Sequence, residues 1–262
     1  MVVFRHLLSI AILVLSFVAA PLGAAFAAPP VISAYNWGGF YIEGDANMST
    51  LNSTWNFDWR IPQLPSRPSG FSPLGTVGFG YDTPILQFPL ATIMIGGVLD
   101  GSFGTTTGTD DCFGGRVNCT TFVQNDFTAR GVIGVAVPNQ PVEFYGTAGL
   151  AVASITDLKT VVVALPMNRF VNLDPLIGGV NKEQVGWAAG GGIVYQAFGP
   201  GQLSPALPGA VSFDLQLLYQ DFGNTTPTRG ITINEYLLQW KVGARYSFGP
   251  SWDFANWGRP GL

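Results

Sequence analysis

Few side chains in this sequence can do chemistry, and what is missing decides as much as what is present. The only histidine is His6. It lies in a leader-like segment, so the chain that follows has neither the usual general base nor the commonest metal ligand. Ser-His and Cys-His hydrolysis, and His-ligated zinc or haem, are thereby excluded, and the mature chain is expected to be neither an enzyme nor the holder of a cofactor or metal. The two cysteines, Cys112 and Cys119, sit in CFGGRVNC. A metal site would need further soft or imidazole ligands beside them; in an exported chain the pair is expected to form one disulfide. The remaining candidates are isolated charges: Glu43, Asp45, Asp100, Asp126, Arg130, Asp214, Lys241 and Arg245. Each stands in a run that alternates polar and apolar residues.

That alternation identifies the elements that must carry them. In EYLLQWKVGARYSF (235–248), Glu235, Gln239, Lys241 and Arg245 share one face, while Tyr236, Leu238, Trp240, Val242, Tyr246 and Phe248 share the other. A period of two is the mark of a β-strand with two unlike sides. Similar runs fall at 37–48, 74–82, 91–103, 122–137, 142–155, 184–198, 210–222 and 235–248. Most are near or above the ~9–11 residues that cross a bilayer at a tilt. The connections after the first, third and fifth runs (49–73, 104–121 and 156–183) are long, and those after the second, fourth and sixth are shorter. This sorting predicts an all-β, eight-stranded antiparallel up-and-down transmembrane β-barrel with its long loops outside the cell.

Volume decides which face is wet. A soluble barrel would turn the apolar face inward, but an eight-stranded barrel is only just wide enough for side chains to fill it. The bulky apolar set would overfill such a lumen, whereas glycines with scattered polar groups fit. Phe40, Phe79, Tyr81, Phe144, Tyr195, Phe213, Tyr246 and Phe248 fall towards the short-turn end, and Trp187, Tyr219 and Tyr236 towards the other. Two such girdles mark membrane interfaces. These charges then face the lumen, where unpaired charge is costly. Glu43 is expected near Lys241, Asp214 near Lys241 or Arg245, and Asp100 near Arg130, with Asp45 and Asp126 in the same network. A polar core that holds a small barrel shut is preferred to a gate.

Charged residues make up 11% of the chain and aromatics 13%, against roughly 25% charged in an ordinary soluble domain. Net charge is -4 and no Lys/Arg cluster is present, so a nucleic-acid partner is excluded. The N-terminal segment has Arg5, an apolar run at 7–18 and Ala25-Phe26-Ala27, the pattern of an export signal. That run falls short of the ~20 residues a membrane span needs. The expected organisation is a signal peptide at 1–27, a barrel at 28–248 and a short tail at 249–262.

Four motifs then come into view. YNWGGFYI (35–42), VGWAAGGG (185–192), YQDFG (219–223) and KVGARYSF (241–248) resemble, in this order, segments of the α-proteobacterial outer-membrane β-barrel family of porin-like surface antigens, related to the barrel of outer-membrane protein A. The resemblance implies an integral outer-membrane protein of a Gram-negative envelope, with a structural or surface role and no cofactor. It also implies that Lys241, Gly243, Tyr246 and Phe248 form the terminal-strand signal read by the barrel-assembly machinery. Partners on this reading are outer-membrane lipid, that machinery during biogenesis, and an extracellular ligand held by the long loops. Alternatives within the same fold are a narrow porin for small solutes and ligand or host binding through those loops. The chain departs from the family by continuing for fourteen residues, GPSWDFANWGRPGL, after Phe248.

Overall fold

The computed structural model describes residues 37–57, 65–112, 117–164, 170–172, 180–199, 202, 209–228 and 231–248. The expected signal peptide at 1–27 and the expected tail at 249–262 lie outside them. Nine strands follow in chain order: β1 (Gly39–Phe57), β2 (Ser69–Gln87), β3 (Thr92–Cys112), β4 (Val117–Ala136), β5 (Val142–Ala164), β6 (Phe170–Asn172), β7 (Val180–Phe198), β8 (Ala210–Thr228) and β9 (Ile231–Ser247). Eight of them close a ring. Sequence neighbours pair antiparallel, β5 pairs β7, and β1 pairs β9 to complete the circle. The three-residue β6 lies only against the end of β5. Among the described residues, closure pairs each of the eight ring strands on both sides, the condition for crossing a membrane with strands.

The turns at one end are tight. Phe88 and Ala91 exchange backbone hydrogen bonds around Pro89-Leu90, and Val137 bonds Val142 around a loop in which Asn139 takes φ 60°, a conformation Asn tolerates better than most residues. Pro84 sits at a register shift between β2 and β3, where a missing N–H does least harm to the ladder.

At the other end the ladders run on past the girdle. The expected long loops at 49–73, 104–121 and 156–183 are to a large extent strand: β1 continues to Phe57, β3 to Cys112 and β5 to Ala164. Their outward residues there, such as Asn52, Thr54, Thr107 and Thr109, are polar, so the apolar half of the alternation vanishes and the segment reads as loop. Backbone pairing does not need that half. A collar of continued barrel therefore stands above the belt.

The belt itself is inverted relative to a soluble protein. Trp240 and Val242 are 50% and 58% exposed, while Lys241 between them is 2% exposed. Phe79, Phe144, Leu150, Trp187, Ile193, Phe213 and Leu215 are exposed in the same way around the ring. Phe40 meets Phe79 and Tyr81 at ring centroids of 5.6 and 4.7 Å at the short-turn end, and Tyr219 meets Trp187 and Tyr236 at 5.3 and 5.6 Å at the collar end. Between these aromatics β9 spans Tyr236 to Tyr246, the length a tilted strand needs to cross hydrocarbon. Polar inside and apolar outside, the fold is a transmembrane barrel.

A lumen closed by charge layers and an apolar cap

Lumenal glycines make room for the charged side chains. A Cβ at Gly96 would lie 1.9 Å from Asp82 Oδ1, one at Gly134 2.2 Å from Glu143 Oε1, and one at Gly243 1.8 Å from Asp45 Oδ1. A Cβ at Gly80 would lie 2.2 Å from the Tyr41 ring. Each of these four groups thus lies over a glycine of the adjacent strand, which is why Gly and acid recur together on the inward face. Gly186, Gly190 and Gly192 face inward too, with no helix after them to cradle a phosphate.

Nearest the short turns, Arg245 on β9 reaches three carboxylates: Asp82 at 3.3 Å, Glu43 at 3.4 Å and Asp214 at 3.8 Å. Its guanidinium lies 3.9 Å from the centroid of Tyr41 and 5.9 Å from that of Tyr145. Tyr145 in turn donates its hydroxyl to Asp214, 3.0 Å from Oδ2. A planar fork between aromatic faces and carboxylates is the setting Arg suits better than Lys.

The next layer up centres on Asp100. Lys241 Nζ lies 2.7 Å from its Oδ2, the atom that also receives Arg130, while Thr128 donates to Oδ1. Arg130 Nε donates to Thr128 Oγ1 at 2.8 Å. Above this, Asp126 is held by neutral donors: Gln220 at 2.7 Å, Gln239 at 3.2 Å and Ser102 at 3.3 Å.

Still higher the lumen turns apolar. Leu51, Val123, Ala151, Ile155, Leu218, Phe222 and Leu237 form one buried cluster. A second, in the collar, joins Trp55, Ile231 and Ile233 to Cys112 and Cys119, which form a disulfide. Trp55 Nε1 donates to Thr121, which donates to Asp157 at 2.9 Å. Glu235, beside Asp157, accepts from Gln184 at 2.9 Å. Charge, amide and grease are stacked across one narrow cross-section.

The structure brings Glu43, Asp100, Arg130, Asp214, Lys241 and Arg245 into two ion-paired groups, but one expected pairing is replaced. Lys241 meets Asp100, and Glu43 meets Arg245. The cause is the stagger of the ladder. Across β1 and β9, Glu43 lies opposite Arg245 and Asn47 opposite Lys241, so equal counts from the strand ends do not mean equal depth. Asp126 is cradled by amides rather than by a cation. Asp45 faces Gly243, and its Oδ1 finds no hydrogen-bond partner among the described residues. Asp82, Tyr41, Tyr145, Gln220 and Gln239 were not among the candidates. Asp82 shares the inward phase of Thr76, Gly78 and Gly80, which was the available signal.

Of the terminal-strand residues, Lys241 and Gly243 face the lumen as described. Tyr246 and Phe248 contact edge to face at 5.0 Å, and Phe248 N donates to Phe40 O at 2.9 Å. Tyr246 Oη accepts from Gly209 N at 3.1 Å.

Fold and lumen together define a small up-and-down membrane barrel whose interior is crossed by paired charges and apolar clusters. No protein-family model matches the chain, and no curated protein matches it. Among solved structures it is similar to the outer membrane protein OprG of Pseudomonas aeruginosa (11% identity, TM-score 0.46, 83% of this chain and 99% of that one). It is also similar to Neisserial surface protein A (13%, 0.41, 80% and 97%) and to the outer membrane protease OmpT of Escherichia coli (9%, 0.39, 79% and 96%). At these values the likenesses carry nothing about function; surface protein and protease sit side by side among them. The barrel stands on its own strand pairing.

Proposed function

We propose that this chain is an integral outer-membrane barrel of a Gram-negative envelope, exported by its N-terminal signal, whose role is structural and at the cell surface. The observation that supports it is the occupied lumen. Two ion-paired layers, an amide-held carboxylate and two apolar clusters fill the cross-section, and the charges in them are buried. A conducting channel needs a continuous wet path, whereas this stack ties non-adjacent strands together. Lys241 on β9 and Asp100 on β3 belong to strands separated by two others in the ring. On this reading the role is not catalytic, and the residue most often used as a base is absent after His6.

Planar-bilayer conductance of the refolded mature barrel tests this reading, once unboiled protein is shown to migrate differently from boiled on a gel. A silent bilayer with folded protein is the expected result. Steady open events from the unmodified chain would overturn the closed lumen in favour of a narrow porin. Fractionation of expressing cells tests the location, and protein recovered outside the outer-membrane fraction would overturn that part.

A further inference from the structure

The outer wall carries a feature that neither the belt nor the lumen explains. Along β3 and β4 the ladder is interrupted at one height on both strands, between Ser102 and Thr105 and between Gln124 and Asp126. Gly104 has φ +135° and Asn125 φ 45°, and Gly104 N donates to Asn125 Oδ1 at 3.4 Å. Paired bulges re-aim side chains and recur beside sites. They fall where the apolar belt gives way to the collar.

Below the bulges an open groove of about 510 Å³ runs over the outer face, walled by Val77, Leu99, Phe103, Phe127, Leu150 and Val152. That volume is within the roughly 300–1,000 Å³ of small-molecule sites. Phe103 and Phe127 meet edge to face at 6.2 Å, with Leu99 and Leu150 each 61% exposed. Directly above, the register sets outward residues of three strands in rows: Thr105, Gln124 and Ser154, then Thr107, Phe122 and Thr156. These rows hold hydroxyls, an amide and one aromatic ring, and no Lys or Arg. A phosphate would call for Arg or Lys. Groups that both donate and accept around a phenyl face suit the hydroxyls and C–H faces of a sugar.

We propose that this wall is a glycolipid seat, with an acyl chain in the groove beneath the bulges and an uncharged saccharide headgroup on the Thr105–Gln124–Ser154 and Thr107–Phe122–Thr156 rows. The seat is continuous with the lipid-facing belt, so groove and ledge meet the two halves of one amphiphile at its natural depth. It rests on the belt being embedded in lipid and goes beyond any role of the lumen.

Native mass spectrometry tests it. The mature barrel, refolded in detergent and shown to be heat-modifiable on a gel, is offered equimolar monogalactosyl diacylglycerol and phosphatidylcholine with the same acyl chains. One retained galactolipid, favoured at least about tenfold, is expected. Leu99→Trp fills the groove and should abolish retention of either lipid, with Leu150→Trp as a second filling variant should the first not fold. T105V/Q124L should keep lipid but bring the two headgroups to parity. Equal retention by the unmodified barrel, or unchanged galactolipid retention in a folded groove-filling variant, would overturn the seat. A chain soluble without detergent and holding neither lipid would instead overturn the membrane reading beneath it.

Discussion

Lys241 Nζ lies 2.7 Å from Asp100 Oδ2 across the lumen, on strands that do not touch in the ring. Arg130 converges on the same carboxylate, so one acid balances two buried cations. Removing that acid should be the most damaging single change in the network. Asp100→Asn leaves both cations uncompensated and should cost ~3–5 kcal/mol, whereas Lys241→Met leaves the Arg130–Asp100 pair and should cost less. Urea titrations of the folded band on unboiled gels would order the two. A Lys241→Met barrel less stable than Asp100→Asn would contradict the shared-acid geometry.

Arg245 has the opposite imbalance, one cation facing Glu43, Asp82 and Asp214. Arg245→Ala removes the fork and leaves three carboxylates around a widened lumen. The Asp100 layer and the apolar clusters above it still close the lumen, so single-channel recording of Arg245→Ala should stay silent while the folded band melts at a lower temperature. Steady openings in this variant would show that the Arg245 layer alone shuts the lumen.

Two lumenal glycines should respond differently to a methyl group. At Gly96 a Cβ would lie 1.9 Å from Asp82 Oδ1 and 2.4 Å from the Tyr81 carbonyl, which is backbone. At Gly78 the nearest atoms belong to Glu43, at 2.6 Å and beyond, a side chain that can turn away. Gly96→Ala should lower the melting temperature by several degrees and Gly78→Ala by clearly less. Equal shifts would mean that the packed acid, not the wall, sets the requirement.

In the collar, outside the spanning segments, Asp110 Oδ2 accepts from Arg67 N at 2.7 Å and Ser66 Oγ at 2.9 Å. The Arg67 N–H, with help from the Ser66 hydroxyl, holds this carboxyl below its usual value. A depressed carboxyl stabilises the fold fully above its unfolded pKa near ~3.9, and the contribution fades as pH falls through the lower folded value. Amide exchange at Arg67 should therefore stay slow at neutral pH and quicken, relative to free peptide, only as pH falls through that lowered value. Asp110→Asn should show the quickened exchange at pH 7. Equal protection in both proteins would detach the loop from this carboxyl.

The fold was legible because a barrel wall writes itself into sequence. Period-two alternation, an even number of runs and girdle aromatics are local facts, and Trp240, Lys241 and Val242 already display them. The collar was not legible. Thr alternates with Thr and Gly at 105–109, and Thr and Asn alternate with Leu and Ser at 50–54; a strand wet outside and uncharged inside leaves little contrast to read. Most charged members of the network could be picked out by phase, yet their pairing could not.

What the sequence by itself determined is the wall: an all-β chain with an apolar outside, a Gly-rich polar inside, two cysteines able to bridge and no histidine beyond His6. The tertiary structure alone decided who meets whom within it. Closing a sheet into a ring adds a stagger at each strand pair, so depth accumulates around the circumference and is not counted along any one strand. That stagger carries Glu43 to Arg245, hands Lys241 to Asp100, and brings the bulges of β3 and β4 to one height on the outer face.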